Sequence, residues 1–219
     1  MSRKAYSPQQ RADVRAALVQ TAVRSIAGQG MVHTTVDMLC KEAGISKTFF
    51  YTFFPSKEEL MLEALLYQQP RLLERARALM DDPTLTWRQA FRQFVLECTY
   101  GAQSGVAVLS IPEEQEVYRC LSAERFAAFQ QAQLAFFSQL LEIFGAPAGS
   151  IDPKFFGSAA LAMMMVYKGI PKDLPFLFPE AADSMVQFQL DALTAVLARA
   201  IDGPSAPADP PACPTDSSN

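Results

Sequence analysis

Residues 35–60 read TVDMLCKEAGISKTFFYTFFPSKEEL, and this stretch decides the fold. Thr35 is a good helix N-cap, and Val36, Leu39, Cys40 and Ala43 follow at i, i+3, i+4 and i+7, one apolar stripe on about two turns of helix. Gly44 stands where a helix end takes a left-handed residue, and Ile45 beyond it can fold back on the stripe. Ser46 caps a second helix over Lys47 to Phe53, which must stop there because Phe54 precedes Pro55. Ser56 caps a third, with Glu58 and Glu59 in its first turn to complement the dipole. Two short helices across a glycine turn are the layout of a helix-turn-helix DNA reader. The second helix is too short to persist without its neighbours.

Upstream, Ser7-Pro8 reads as a cap and an N1 proline, so a first helix is predicted from about Pro8 to Ala27, ended by Gly28-Gln29-Gly30. Its stripe Val14, Leu18, Ala22, Ile26, flanked by Ala17 and Thr21, needs a partner face, which Leu39, Ala43, Ile45, Phe50 and Phe54 can supply. Residues 1–7 read as a loose arm carrying Arg3 and Lys4.

Downstream the periodicity stays helical. From Lys57 it runs to about Met80, with Pro70 either kinking the helix or starting a new one. Thr86 caps a helix with Ala90, Phe91, Phe94, Val95 and Cys98 inward. Gly101 to Gly105 interrupts the pattern, and Val106 to Ile111, lacking a partner strand, reads as a buried turn or loop. Ser122 starts a long helix to Phe144, and Asp152-Pro153 opens another to about Lys168. The last runs from about Pro179 to Ile201 and carries two stripes, Val186, Leu190, Leu193, Leu197 and Met185, Phe188, Ala192, Val196. A helix apolar on two sides is buried on two sides, and the second stripe is the candidate dimer interface, with the last two helices forming a four-helix arrangement across a two-fold axis. The proline-rich segment 203–219 is expected to be disordered. The expected fold class is all-α: a three-helix DNA-binding head over residues 1–57 and the first turns of the next helix, to about 70, then a helical bundle over 71–202 for effector binding and dimerisation.

The chain has 219 residues and a net charge of −4, but residues 1–57 hold eight Lys/Arg against three acidic residues, +5, and the remainder is −9. A basic end on an acidic body fits a small polyanion-binding head. The cysteines (Cys40, Cys98, Cys120, Cys213) lack metal-ligand spacing, and the first three read as small core residues. No leader opens the sequence and no apolar run reaches spanning length, so a cytoplasmic protein without membrane contact is expected. His33 is the lone histidine, so no catalytic triad or histidine metal site can be assembled in one chain; no enzyme activity, cofactor or metal is expected.

Residues 29–61, QGMVHTTVDMLCKEAGISKTFFYTFFPSKEELM, resemble the N-terminal DNA-binding domain of the TetR-type bacterial transcriptional regulators. The resemblance rests on the Gly30 turn, Thr34-Thr35, Ala43-Gly44-Ile45-Ser46, Tyr51, Phe54 and Ser56-Lys57-Glu58-Glu59-Leu60, and covers roughly residues 10–70. It implies a homodimeric repressor on a palindromic double-stranded operator, released by a small apolar effector molecule. Thr35 would meet a phosphate, Ser46, Lys47, Thr48, Phe49, Tyr51, Thr52 and Phe53 would form the recognition segment, and Lys57 would reach a second phosphate. Two positions depart from the family pattern, Thr48 for a small residue and Phe49 for a hydroxyl. Phe49 could read a thymine methyl or close over the head's core. Asp37 would repel phosphate unless neutralised by Lys41 or used on a cytosine amine.

Elsewhere, Phe91, Phe94, Val95, Cys98, Phe126, Phe129, Met163, Met164 and Tyr167 are candidates for an apolar effector pocket, with ordinary core as the competing reading. The acidic run Glu113-Glu114-Gln115-Glu116 reads as a solvated helix start. Readings left open are a helical protein-interaction module or a lipid-binding protein that has lost operator binding.

Overall fold

The computed structural model describes residues 6–100, 105–169 and 178–203, and among them every regular element is helical. Helix α1 (Pro8–Gly28) is opened by a reciprocal capping box between Ser7 and Gln10. Its predicted stripe is its buried face: Leu18, Ala22 and Ile26 are wholly buried and pack against α2 (Val36–Ala43) and α4 (Lys57–Tyr67). Gly44 takes φ +65°, and the amides of Gly44 and Ile45 close on the carbonyls of Lys41 and Cys40, which ends α2 and turns the chain into α3 (Lys47–Phe50). Backbone bonds spanning three and four residues carry the turn on to Phe54, and Phe50 and Phe54 plug the head's core. Thr35, Ser46 and Ser56 each accept the amide three residues on, caps worth about 1 kcal/mol apiece.

Pro70 starts a new helix: α4 ends at Tyr67 and α5 (Gln69–Met80) follows. At the break Gln68 is buried, with both ends of its amide spent on the Ala107 backbone. That pair replaces ladder bonds for the irregular strap 105–110, which leads from α6 (Trp87–Thr99) into α7 (Ile111–Arg119). The bundle is completed by α8 (Ala123–Ile143), α9 (Pro153–Gly169), a short 3-10 turn (Pro179–Ala181) and α10 (Ala182–Ile201). The expected last helix from Pro179 thus becomes α-helical only at Ala182.

Two hydrophobic clusters result. The body's cluster centres on Phe91, Phe94 and Phe144, with Phe91 meeting Phe144 edge-on at 5.1 Å. The head's cluster includes Ala107, Leu109, Val117 and Phe129 from the strap, α7 and α8, so the head does not close on its own residues alone. Two sequence expectations fail here. Cys120 is exposed, because α7 ends at Arg119 and the residue lies in the turn beyond it. Glu113 is buried, for reasons given below. Of the arm expected over residues 1–7, Tyr6 stacks on Phe49 and Ser7 caps α1, while residues 1–5 lie outside the described residues, as does the expected tail from residue 204 on.

Candidate nucleic-acid interface and effector cavity

On α3 and the turn that continues it, Lys47, Thr48, Tyr51 and Thr52 are exposed, Phe49 and Phe53 are half-buried, and Phe50 and Phe54 are buried. The exposed set joins Ser46 and Thr35, both also exposed, in one polar, cationic strip with hydroxyls on it. Tyr51 leaves half its surface free, its ring edge-on to Phe50 at 5.2 Å. Asp37 finds a cation, but Lys47 rather than Lys41: Nζ lies 3.3 Å from the carboxylate, with both side chains more than half exposed. Phe49 does not close over the head's core. Its ring stacks on Tyr6 at 4.4 Å, meets Phe53 edge-on at 4.9 Å, and has the Arg11 guanidinium above it. Lys57, expected at a phosphate, donates from Nζ to the Met31 carbonyl at 3.2 Å.

That Met31 carbonyl belongs to a polar junction that sequence reasoning missed. Glu113, 4% exposed, accepts the amides of Met31, Val32 (3.1 Å) and Ser110 (2.8 Å). Lys168, from the last turn of α9, sits 3.6 Å from the same carboxylate and donates to the carbonyls of Ile26 (3.2 Å) and Val108. One carboxylate and one ammonium thereby tie the end of α1 and the turn before α2 to the strap, α7 and α9. Burial pushes the Glu113 carboxyl up, but the Ser110 and Val32 amides and the Lys168 charge outweigh it and hold the group below the ordinary glutamate range. Gly30 makes the approach possible: its φ is +85°, and a Cβ there would stand 2.7 Å from the Glu113 carboxylate. The sequence did contain one signal, the Ser110-x-x-Glu113 capping pattern, which places the carboxylate at the start of α7 but says nothing of the head.

A cleft with about 930 Å³ of space between atoms, its mouth included, opens in the body. Of the pocket residues expected, Phe94, Val95, Cys98, Phe129 and Met164 line it. Phe91 and Met163 do not; they are wholly buried in the core. Phe126 packs edge-on against Tyr118 at 5.0 Å instead, and Tyr167 against Tyr100 at 4.7 Å. The cleft's polar groups were not foreseen: Gln68, Gln69, Gln133, and Glu114 with Tyr118, whose hydroxyl donates to the Glu114 carboxylate at 2.5 Å. Burial, then that bond, raises the Tyr118 phenol, so it stays protonated. Burial also pushes the Cys98 thiol up to about 12, which leaves it a packing group rather than a nucleophile. On α10, Phe188 is 59% exposed and Ala192 is exposed, with Met185 and Val196 half-buried beside them, while the other stripe is in the core. No group of three or more metal-ligating side chains occurs among the described residues. No described helix is long and apolar enough to cross a membrane.

The fold and the strip on α3 define a class: all-α proteins that present a helix-turn-helix head on a helical body. Residues 18–64 match the family model described as bacterial regulatory proteins, tetR family. An uncharacterized HTH-type transcriptional regulator of Bacillus subtilis, YuxN, is 30% identical over 138 residues, 60% of this chain and 46% of that protein, so the match spans about half of the relative's length. Among solved structures, reduced NemR of E. coli superposes with a TM-score of 0.53 at 17% identity, covering 89% of this chain and all of that one. A TetR transcriptional regulator from Legionella pneumophila gives 0.50 at 13% identity, covering 91% and 100%. At those identities the likeness is one of fold.

Proposed function

We propose that this chain is a homodimeric transcriptional regulator that binds a palindromic operator through residues 1–57 and the first turns of α4, and that residues 71–202 form the effector-binding and dimerisation region. The observation that carries the reading is the exposed strip on α3. Gly44 turns the chain so that α3 seats Phe50 in the head's core and leaves Lys47, Thr48, Tyr51 and Thr52 facing solvent together, near the exposed Thr35 at the start of α2. Dimerisation is supported by α10, where Phe188 and Ala192 stand exposed with Met185 half-buried beside them, while Val196 of the same stripe packs on the margin of the body's cluster. A small apolar effector would occupy the body cleft and release the operator by a population shift. α7 supports that step, since Glu114 lines the cleft while its neighbour Glu113 holds the turn before α2.

Selection of bound fragments from sheared genomic DNA tests the proposal. The wild type is expected to retain discrete duplexes and to run as a dimer. The Lys47→Ala/Tyr51→Ala double variant should lose them while keeping its helicity and its dimer. Retention of the same fragments by that variant would overturn the proposal.

A further inference from the structure

Three arginines of α1 face the rest of the head, and two of them are neutralised there. Arg15 is bidentate to Glu63, with its guanidinium 4.9 Å from the Phe54 ring. Arg24 reaches Glu42 at 3.3 Å and the Thr21 hydroxyl at 2.9 Å. Arg11 differs. Among the described residues it meets no carboxylate; its guanidinium lies over two aromatic rings, 4.8 Å from Phe53 and 5.6 Å from Phe49, and the side chain is exposed. Both rings belong to the recognition segment and flank its exposed strip. Tyr6 stacks on the far part of the same cluster at an interplanar angle of 26°, so that the rings form a shelf of three.

A cation–π contact engages the charge of a guanidinium without spending its N–H donors on an acceptor. An unneutralised, exposed charge held at the margin of the strip suits a phosphate oxygen better than any group inside the head. This also gives the departure at Phe49 a physical role. The phenyl ring cannot donate to phosphate, but it seats a residue of another helix that can.

Taking the head to be a DNA reader, we propose that Arg11 is a phosphate-binding residue of this protein, positioned by Phe49 and Phe53 of the recognition segment. The contact is to the backbone and carries no base preference, so its loss weakens operator and unrelated duplex alike.

The test is the salt dependence of duplex binding by wild type, Arg11→Ala, Phe49→Leu and the double variant. Circular dichroism serves as the check on fold. Each phosphate neutralised contributes about 0.9 to the slope of log affinity against log salt, so Arg11→Ala is expected to flatten the slope by about 0.9 per head and to weaken binding by on the order of tenfold. Phe49→Leu keeps the apolar bulk without the ring. It should cost part of that effect in the wild-type background and nothing further once Arg11 is gone. Wild-type slope and affinity in Arg11→Ala would overturn the assignment, as would a loss confined to operator sequence or a Phe49→Leu effect independent of Arg11. A wild type with no salt-dependent duplex binding would instead refute the DNA-reading head itself, and the assignment with it.

Discussion

Lys47 and Lys168 each stand beside a carboxylate, in the head and at its seam with the body, yet physics assigns them opposite tasks. The Lys47–Asp37 pair is 3.3 Å apart with side-chain exposures of 55% and 74%, in a setting where such pairs contribute about 0–1 kcal/mol. It is weak enough to be exchanged for a phosphate. The Lys168–Glu113 pair has exposures of 25% and 4% and is surrounded by backbone donors and acceptors that it satisfies. Removing one partner of a buried pair leaves the other uncompensated, at a cost of about 3–5 kcal/mol. The surface ion pair leaves the exposed strip on α3 open to exchange, whereas the buried pair fixes how the strip is carried on the body.

The comparison can be broken most directly at Glu113. Glu113→Ala strands Lys168 and two amides of the turn before α2, and is expected to lower unfolding free energy by about 3 kcal/mol in a urea titration. Lys47→Ala should stay within about 0.5 kcal/mol of wild type. Equal effects would mean that the junction has no special weight. Next in size is Gly30→Ala, which meets both a left-handed backbone and the Glu113 carboxylate. A loss of about 1–3 kcal/mol is expected, reduced in a Glu113→Ala background, where the crowding oxygen is gone, if the carboxylate contact is a cause.

The pH dependence sharpens the same contrast. Glu113 titrates below its ordinary value in the folded chain, so its contribution is complete above the unfolded pKa and is lost as pH falls through the folded one. Wild type should therefore lose stability relative to Glu113→Gln as pH drops below the ordinary glutamate range. A constant difference between the two would contradict that. The smallest effect is expected at Asp37: Asp37→Asn removes a negative charge from the strip, leaves stability unchanged, and tightens duplex binding about two- to fivefold at low salt, with the gain shrinking as salt rises.

What the sequence made legible follows from how far apart the interacting groups are. Thr35, Gly44, Ser46 and Ser56 act on residues three or four away, so the turn-and-cap pattern read from the chain is the one built. The α1 stripe and the two stripes of α10 were likewise legible, because a period of 3.6 needs only one helix. Glu113 was misread as solvated because its partner Met31 is 82 residues away, and no local pattern encodes that meeting. The same holds for Arg11 over Phe53, and for Gln68 on Ala107. In the cleft, aromatic and Met stripes could not be sorted from composition: Phe94 and Met164 line it, while Phe91 and Met163 lie wholly buried in the core.

The central claim is that two such heads, carried on one dimer, read a two-fold symmetric duplex through α3. A hydroxyl-radical footprint on a retained genomic fragment tests it most directly. The account predicts two protected patches related by a dyad and centred an integral number of helical turns apart, both lost in the Lys47→Ala/Tyr51→Ala variant. A single unsymmetric patch, or protection that survives in that variant, would contradict it.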